Sequence, residues 1–214
     1  MIVALLGALE LATVARANQI EHPVVAVCVD GEADQYAQNV VNHAQLEASG
    51  IFRGIGVQLD WHPASSGFCR RSGHSVIRVS YSLRTPTEVV PSALAYALPY
   101  EGVHIEVFYN RIRGRDDAER VGVLGYVLAH EITHILQGIA RHSDSGIMKA
   151  QWDNADFAQM RFVTLSFTED DVDLIHKGLR ARASHDAPGT FLAVANAGNA
   201  SARSSNIEES FQQR

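Results

Sequence analysis

A chain of 214 residues can bury one sizeable core and is short for two, so a single domain is expected. Its 18 basic residues against 24 acidic ones give a formal net charge of −6, and no basic cluster is dense enough to follow a phosphate backbone, which excludes nucleic acid as an expected partner. The short group Arg111, Arg113 and Arg115 runs at once into Asp116 and Asp117 and reads as a solvated loop.

Residues Met1 to Leu9 are almost wholly apolar, and Ala15-Arg16-Ala17 has the small-x-small form of a signal-peptidase site. Residues 1–17 are therefore read as a leader, either a signal peptide or a disordered start. A secreted or extracytoplasmic location is expected, with a cytoplasmic one as the alternative. The apolar run is too short for a lasting bilayer span, and no other stretch is long and apolar enough to provide one. Cys28 and Cys69 are the only cysteines. Export would favour a bridge between them and a cytosolic location two buried thiols, so their state stays open.

Val24 to Val29 is a continuous apolar run rich in β-branched residues and predicts a central strand. From Ala33 to Ala48 apolar residues recur near helical spacing, with Ser49-Gly50 closing the segment. Ile55 to Trp61 alternates at period two, and its connection through a helix predicts a parallel neighbour of the first strand. Residues 64–73 are rich in serine and glycine and predict a loop carrying Cys69. Ser75 to Tyr81 predicts a third strand. The short segment Leu94, Ala95, Tyr96, Ala97 and a glycine turn then lead into a last strand over 103–109.

The helix predicted over Ala118 to Gln137, with Asp116 and Asp117 at its positive end, carries the chemistry. It contains His130-Glu131-Ile132-Thr133-His134. Residues four apart lie one above the other on a helix, so His130 and His134 can grip one metal ion, while Glu131 stays available to take a proton from a bound water. A catalytic zinc site takes three protein ligands and keeps one position for water. His142 is the candidate for the third, with a carboxylate such as Asp144 or Glu169 as the alternative. On an unbroken helix His142 would lie about 12 Å further along the axis, so the chain has to turn first, and Gly138 is the residue suited to that turn. Thr168 and Asp171 have capping-box spacing at the start of a last helix, and 182–214 shows little periodicity and predicts a flexible tail.

The succession His130-Glu131-x-x-His134, Gly138, His142, Gly146-Ile147-Met148 resembles the metzincin metallopeptidases, most closely the matrixin and archaemetzincin-type patterns. In that family glycine and the third histidine follow the second ligand by three and six residues; here the offsets are four and eight. The resemblance implies a single α/β (α+β) domain over 23–181. In it a twisted, mostly parallel sheet has an antiparallel edge strand, an active-site helix beneath it and a C-terminal helix. It also implies one catalytic Zn2+ held by His130, His134 and His142, Glu131 as general base, and Met148 in a tight turn under the metal. By the same resemblance Leu94 to Ala97 form a sheet edge that receives a protein or peptide substrate. His104 stands where matrixins often have a structural-zinc ligand, but without the companion aspartates it reads as an ordinary strand histidine. The expected activity is that of a zinc endopeptidase, with a catalytically inactive zinc-containing binding protein of the same fold as the alternative. The sequence sets no oligomeric state.

Overall fold

The period-two patterning builds a sheet with one apolar face. The structure is a computed structural model and describes residues 22–31, 35–71, 76–98, 103–162 and 165–186. Strands β1 (Val24–Asp30), β2 (Gln58–Pro63), β3 (Ile77–Ser82), β4 (Ala95–Ala97) and β5 (His104–Phe108) lie in the order β2-β1-β3-β5-β4. The pairs of β1 with β2, β1 with β3 and β3 with β5 are parallel, and the edge strand β4 is antiparallel to β5. Registers such as Val27 against Ile77 and Val79 against Ile105 set Val25, Val27, Ile77, Val79, Ile105 and Val107 on one buried face. Arg78, Ser80, His104 and Glu106 alternate onto the other, where Ser80 donates to the Glu106 carboxylate. Mostly parallel sheets are usually covered on both faces. Here the second face is largely polar, which explains why β3 and β5 alternate instead of reading as unbroken apolar runs.

Helices α1 (Gln35–Arg53), α3 (Asp117–Gln137) and α5 (Glu169–Asp186) close the core, with the short α2 (Gly67–Arg71) and α4 (Asn154–Phe162) beside them. Phe52, Leu124, Leu128, Ile132 and Leu136 fill the core cluster they share with the sheet, each nearly or fully buried. Each such side chain contributes roughly 1.5–3 kcal/mol of transfer free energy. At Gly125 the backbones of α1 and α3 come close enough that an added Cβ would lie 2.7 Å from the Glu47 Cβ. Among the described residues no helix is long and apolar enough to cross a membrane.

The expected class, α/β with a mostly parallel sheet and an antiparallel edge, is the one observed. Several boundaries move. Ser49-Gly50 does not close α1, which runs on to Arg53 because Ile51 and Phe52 bury against the core. That burial outweighs the cost of about 1 kcal/mol for glycine inside a helix. The turn Gly54–Gly56 consequently delays β2 to Gln58. The serine- and glycine-rich segment expected to be a loop contains α2, and α5 continues to Asp186, past the boundary set at 182. The leader at 1–17 and residues 187–214 of the expected tail lie outside the described residues.

Cys28 and Cys69 are bonded to one another, with Cα atoms 5.9 Å apart. With Val76 they form a small cluster separate from the main core, joining α2 to β1. The bridge spans a sequence separation of 41 residues. In the chain-entropy model a loop of that length confers about 4 kcal/mol by restricting the unfolded chain. The Cys28→Ala/Cys69→Ala double variant is therefore expected to lose about that much in urea unfolding followed by circular dichroism. A loss under 1 kcal/mol would show that the bridge constrains nothing the fold needs.

Candidate metal centre

Helix α3 starts where Asp116 takes an extended conformation and its carboxylate accepts from the Glu119 N–H at 2.8 Å. From Val123 to Leu136 every residue is buried, so the second half of this helix passes through the core and carries His130, Glu131 and His134 with it. The helix stops at Gly138, whose φ of 69° and ψ of 19° are left-handed, and whose N–H donates to the His134 carbonyl at 2.9 Å. The turn brings His142 back. The candidate ligand nitrogens of His130, His134 and His142 all lie within 4.8 Å of one another. Of the two residues by which the offset from His134 to His142 is longer, one lies before Gly138 and one after it.

The protonation pattern follows from the partners of the two helical rings. His130 Nδ1 is 2.8 Å from the Ile147 carbonyl, and His134 Nδ1 is 3.2 Å from the Ile139 carbonyl. A carbonyl only accepts, so each Nδ1 carries the proton and each Nε2 presents a lone pair. Those two Nε2 atoms are 3.0 Å apart. Facing lone pairs repel at that distance, and a cation between them removes the conflict. Zinc–nitrogen bonds of about 2.0–2.1 Å put tetrahedral ligand nitrogens about 3.3 Å apart, within the span set by the three rings. The backbone carbonyls act as the outer partners that fix tautomer and ring orientation in such sites. The donor set therefore fits a zinc ion.

His134 is fully buried, His130 is 7% exposed, and His142 is half-buried at the rim. Glu131, 4% exposed, joins His130 and His142 in lining a cavity of about 280 Å³. Leu94, Ala95, Val127, Trp152 and Phe157 supply its apolar walls. Lys149 lies at the same cavity, its ammonium held by Asp153 at 2.7 Å and Asp156 at 2.6 Å. The hydrogen bond to Asp153, then that to Asp156, raises its pKa and keeps the charge.

The segment after His142 folds over the rings. Ser143 N–H donates to the Met148 carbonyl at 2.7 Å, and Gly146 turns with a φ of 76° where an added Cβ would run into the Ser166 carbonyl oxygen. Met148 is fully buried, within the main core cluster. The Ile147 carbonyl receives both His130 and, at 3.2 Å, the Trp152 indole N–H. Trp152 also stands edge-on to the His130 ring, with centroids 5.7 Å apart, so it both anchors the loop and walls the site.

Of the expected edge residues, Leu94 and Ala95 reach the cavity, whereas Tyr96 turns to the opposite face against Phe108 and Ala97 is buried in the core. Ala95–Ala97 are the edge strand β4, with Leu94 just ahead of it, and no further strand borders β4 among the described residues. Asp144 and Glu169 are exposed, and neither belongs to the histidine group. His104 is an exposed residue of β5. Neither α4, which carries Phe157 and Asp156, nor the indole bond to Ile147 is legible in the residue pattern. Both depend on contacts that periodicity does not encode.

No family model matches the sequence, and no curated protein matches it. Among solved structures the chain is similar to the archaemetzincin of Methanopyrus kandleri, with a TM-score of 0.48 and 14% sequence identity, over 74% of this chain and 96% of that one.

Proposed function

We propose that the protein is a zinc-dependent endopeptidase of the metzincin-like kind, acting on protein or peptide substrates. The observation that supports this is the meeting of three histidine nitrogens, two of whose rings line one cavity with a buried carboxylate beside a sheet edge. His130, His134 and His142 would hold the ion, beside the cavity that Glu131 lines. When bound, zinc lowers the pKa of a coordinated water toward 7 and polarises the peptide carbonyl. Glu131 accepts the proton of the attacking water and passes it to the leaving amine. An extended substrate pairs through its main chain along the β4 edge, with a side chain lodged between Val127, Trp152 and Phe157. Export belongs to the same proposal, supported by the bond between Cys28 and Cys69, since such bridges persist in oxidising compartments.

Purified protein dialysed against trace zinc is expected to hold about one ion per chain by elemental analysis. Cleavage of a fluorogenic peptide library should stop with a chelator and return when zinc is restored. Zinc without turnover on any peptide would favour a binding protein of the same fold, and no zinc at all would remove the reading.

A further inference from the structure

His142 differs from the other two rings in being carried by a segment without helical hydrogen bonds, so its direction has to be set by whatever holds the chain on either side. The residues on either side are Arg141 and Ser143, and both reach the same atom. Arg141 Nη1 donates to Asp171 Oδ1 at 2.8 Å, and Ser143 Oγ donates to the same oxygen at 2.7 Å. Two bonds from the residues on either side of His142 to a single atom hold the short piece of backbone between them. Fixing Arg141 and Ser143 on one oxygen therefore fixes the rotation of the chain about its axis. The His142 ring is then turned toward His130 and His134, whose ring centroids lie 5.3 and 5.0 Å away.

The other oxygen of Asp171 has separate work. Oδ2 accepts from the Thr168 N–H at 3.2 Å and the Thr168 hydroxyl at 2.7 Å, while the Asp171 N–H donates to Thr168 Oγ1 at 3.2 Å. That is the capping box at the start of α5. Asp171 is fully buried, so its charge relies on these donors. One carboxylate thus divides its oxygens, Oδ2 to its own helix and Oδ1 to the two neighbours of His142.

Resting on the zinc reading above, we infer that Asp171 is the positioning residue for His142, so that zinc affinity depends on a carboxylate contributed by the C-terminal helix. Charge-assisted bonds from a guanidinium and a hydroxyl hold this geometry more firmly than neutral ones would. Ser143 is also tied by its N–H to the Met148 carbonyl, so the loop is pinned at both its backbone and its side chains.

Zinc affinity of the full chain, measured by competition with a chromogenic chelator, tests this. Asp171→Asn is expected to weaken zinc binding 10–100-fold, the range for partners that orient a ligand without touching the metal. Thr168→Ala, which removes the hydroxyl of the capping box and leaves the Oδ1 bonds, should lower the unfolding midpoint yet keep zinc affinity within about twofold. In a His142→Ala background, Asp171→Asn should change zinc affinity no further, because the ligand it orients is gone.

Wild-type affinity in Asp171→Asn would overturn the inference, and so would an equal loss in the presence and absence of His142. Should Asp171→Asn fail to fold, Ser143→Ala and Arg141→Met decide the matter by removing the donors on the His142 side. Each should weaken zinc several-fold, and unchanged binding in both would overturn the inference. A wild type that binds no zinc overturns the metal site itself. Zinc in the wild type with no response to these variants overturns only the role of Asp171.

Discussion

Glu131→Ala is expected to keep its zinc and lose peptide hydrolysis by about 10²–10⁴-fold in kcat/KM, the range for removal of a positioned general base. The two halves of that expectation have separate grounds. Zinc is retained because the gathered donors are His130, His134 and His142, and Glu131 is not among them. Hydrolysis is lost because Glu131 is the buried carboxylate that lines the same cavity as two of those rings. Asp153 and Asp156 do not replace it: neither lines the cavity, and both are engaged with Lys149. Elemental analysis and turnover of one fluorogenic peptide, measured on the same preparation, check both halves. Activity within tenfold of wild type would dismiss Glu131 as the base, and loss of zinc together with activity would make it part of the ligand set.

Much of the fold could be read from the chain because the sheet presents two unlike faces. Val79 and Ile105 alternate with Ser80 and Glu106, and period two is unambiguous where one side is buried and the other is polar, whereas β1 reads as an unbroken apolar run because Cys28 is buried as well as Val27. The central helix was equally legible, from Asp116 as its cap to Gly138 as its left-handed end. What failed was local punctuation overridden by burial. Gly50 reads as a terminator, yet Phe52 two residues on fills the core and draws the helix past it. Helix α4 escaped because Asn154–Phe162 has no clean apolar stripe and is fixed by side-chain contacts of Phe157 with Trp152 and of Asp156 with Lys149, in the segment just ahead of it.

The site divides in the same way. The residue types in His130-Glu131-x-x-His134 announce a metal through local spacing, which a helix converts directly into geometry. The approach of His142 cannot be read locally, because it depends on the path after Gly138. Asp171 was legible as a capping residue, since its partner Thr168 is three positions away. Its bonds to Arg141 and Ser143 were not, because they join segments 30 and 28 residues apart.

The second large effect is expected at His134, and thermal stability reads it without any substrate. A ligand that binds only the folded state stabilises it by RT ln(1 + [L]/Kd), about 2.7 kcal/mol when free zinc stands at 100 times Kd. Wild type should therefore melt several degrees higher in zinc than in chelator. His134 is the fully buried member of the group; its Nδ1 is held by the Ile139 carbonyl, and its Nε2 faces that of His130 at 3.0 Å. His134→Ala removes one of the two nitrogens that face each other, and among the described residues the metal-ligating group holds only His130 and His142 besides it. Zinc affinity is expected to fall by more than the 10–100-fold typical of an outer partner, and the zinc-dependent rise in melting temperature should vanish at micromolar metal. His104→Ala, on the exposed face of β5, is the matched control and should keep the full rise. A wild-type rise in His134→Ala would mean that the stabilising ion sits elsewhere in the chain. Loss of the rise in both variants would mean that the effect belongs to histidine content and not to this site.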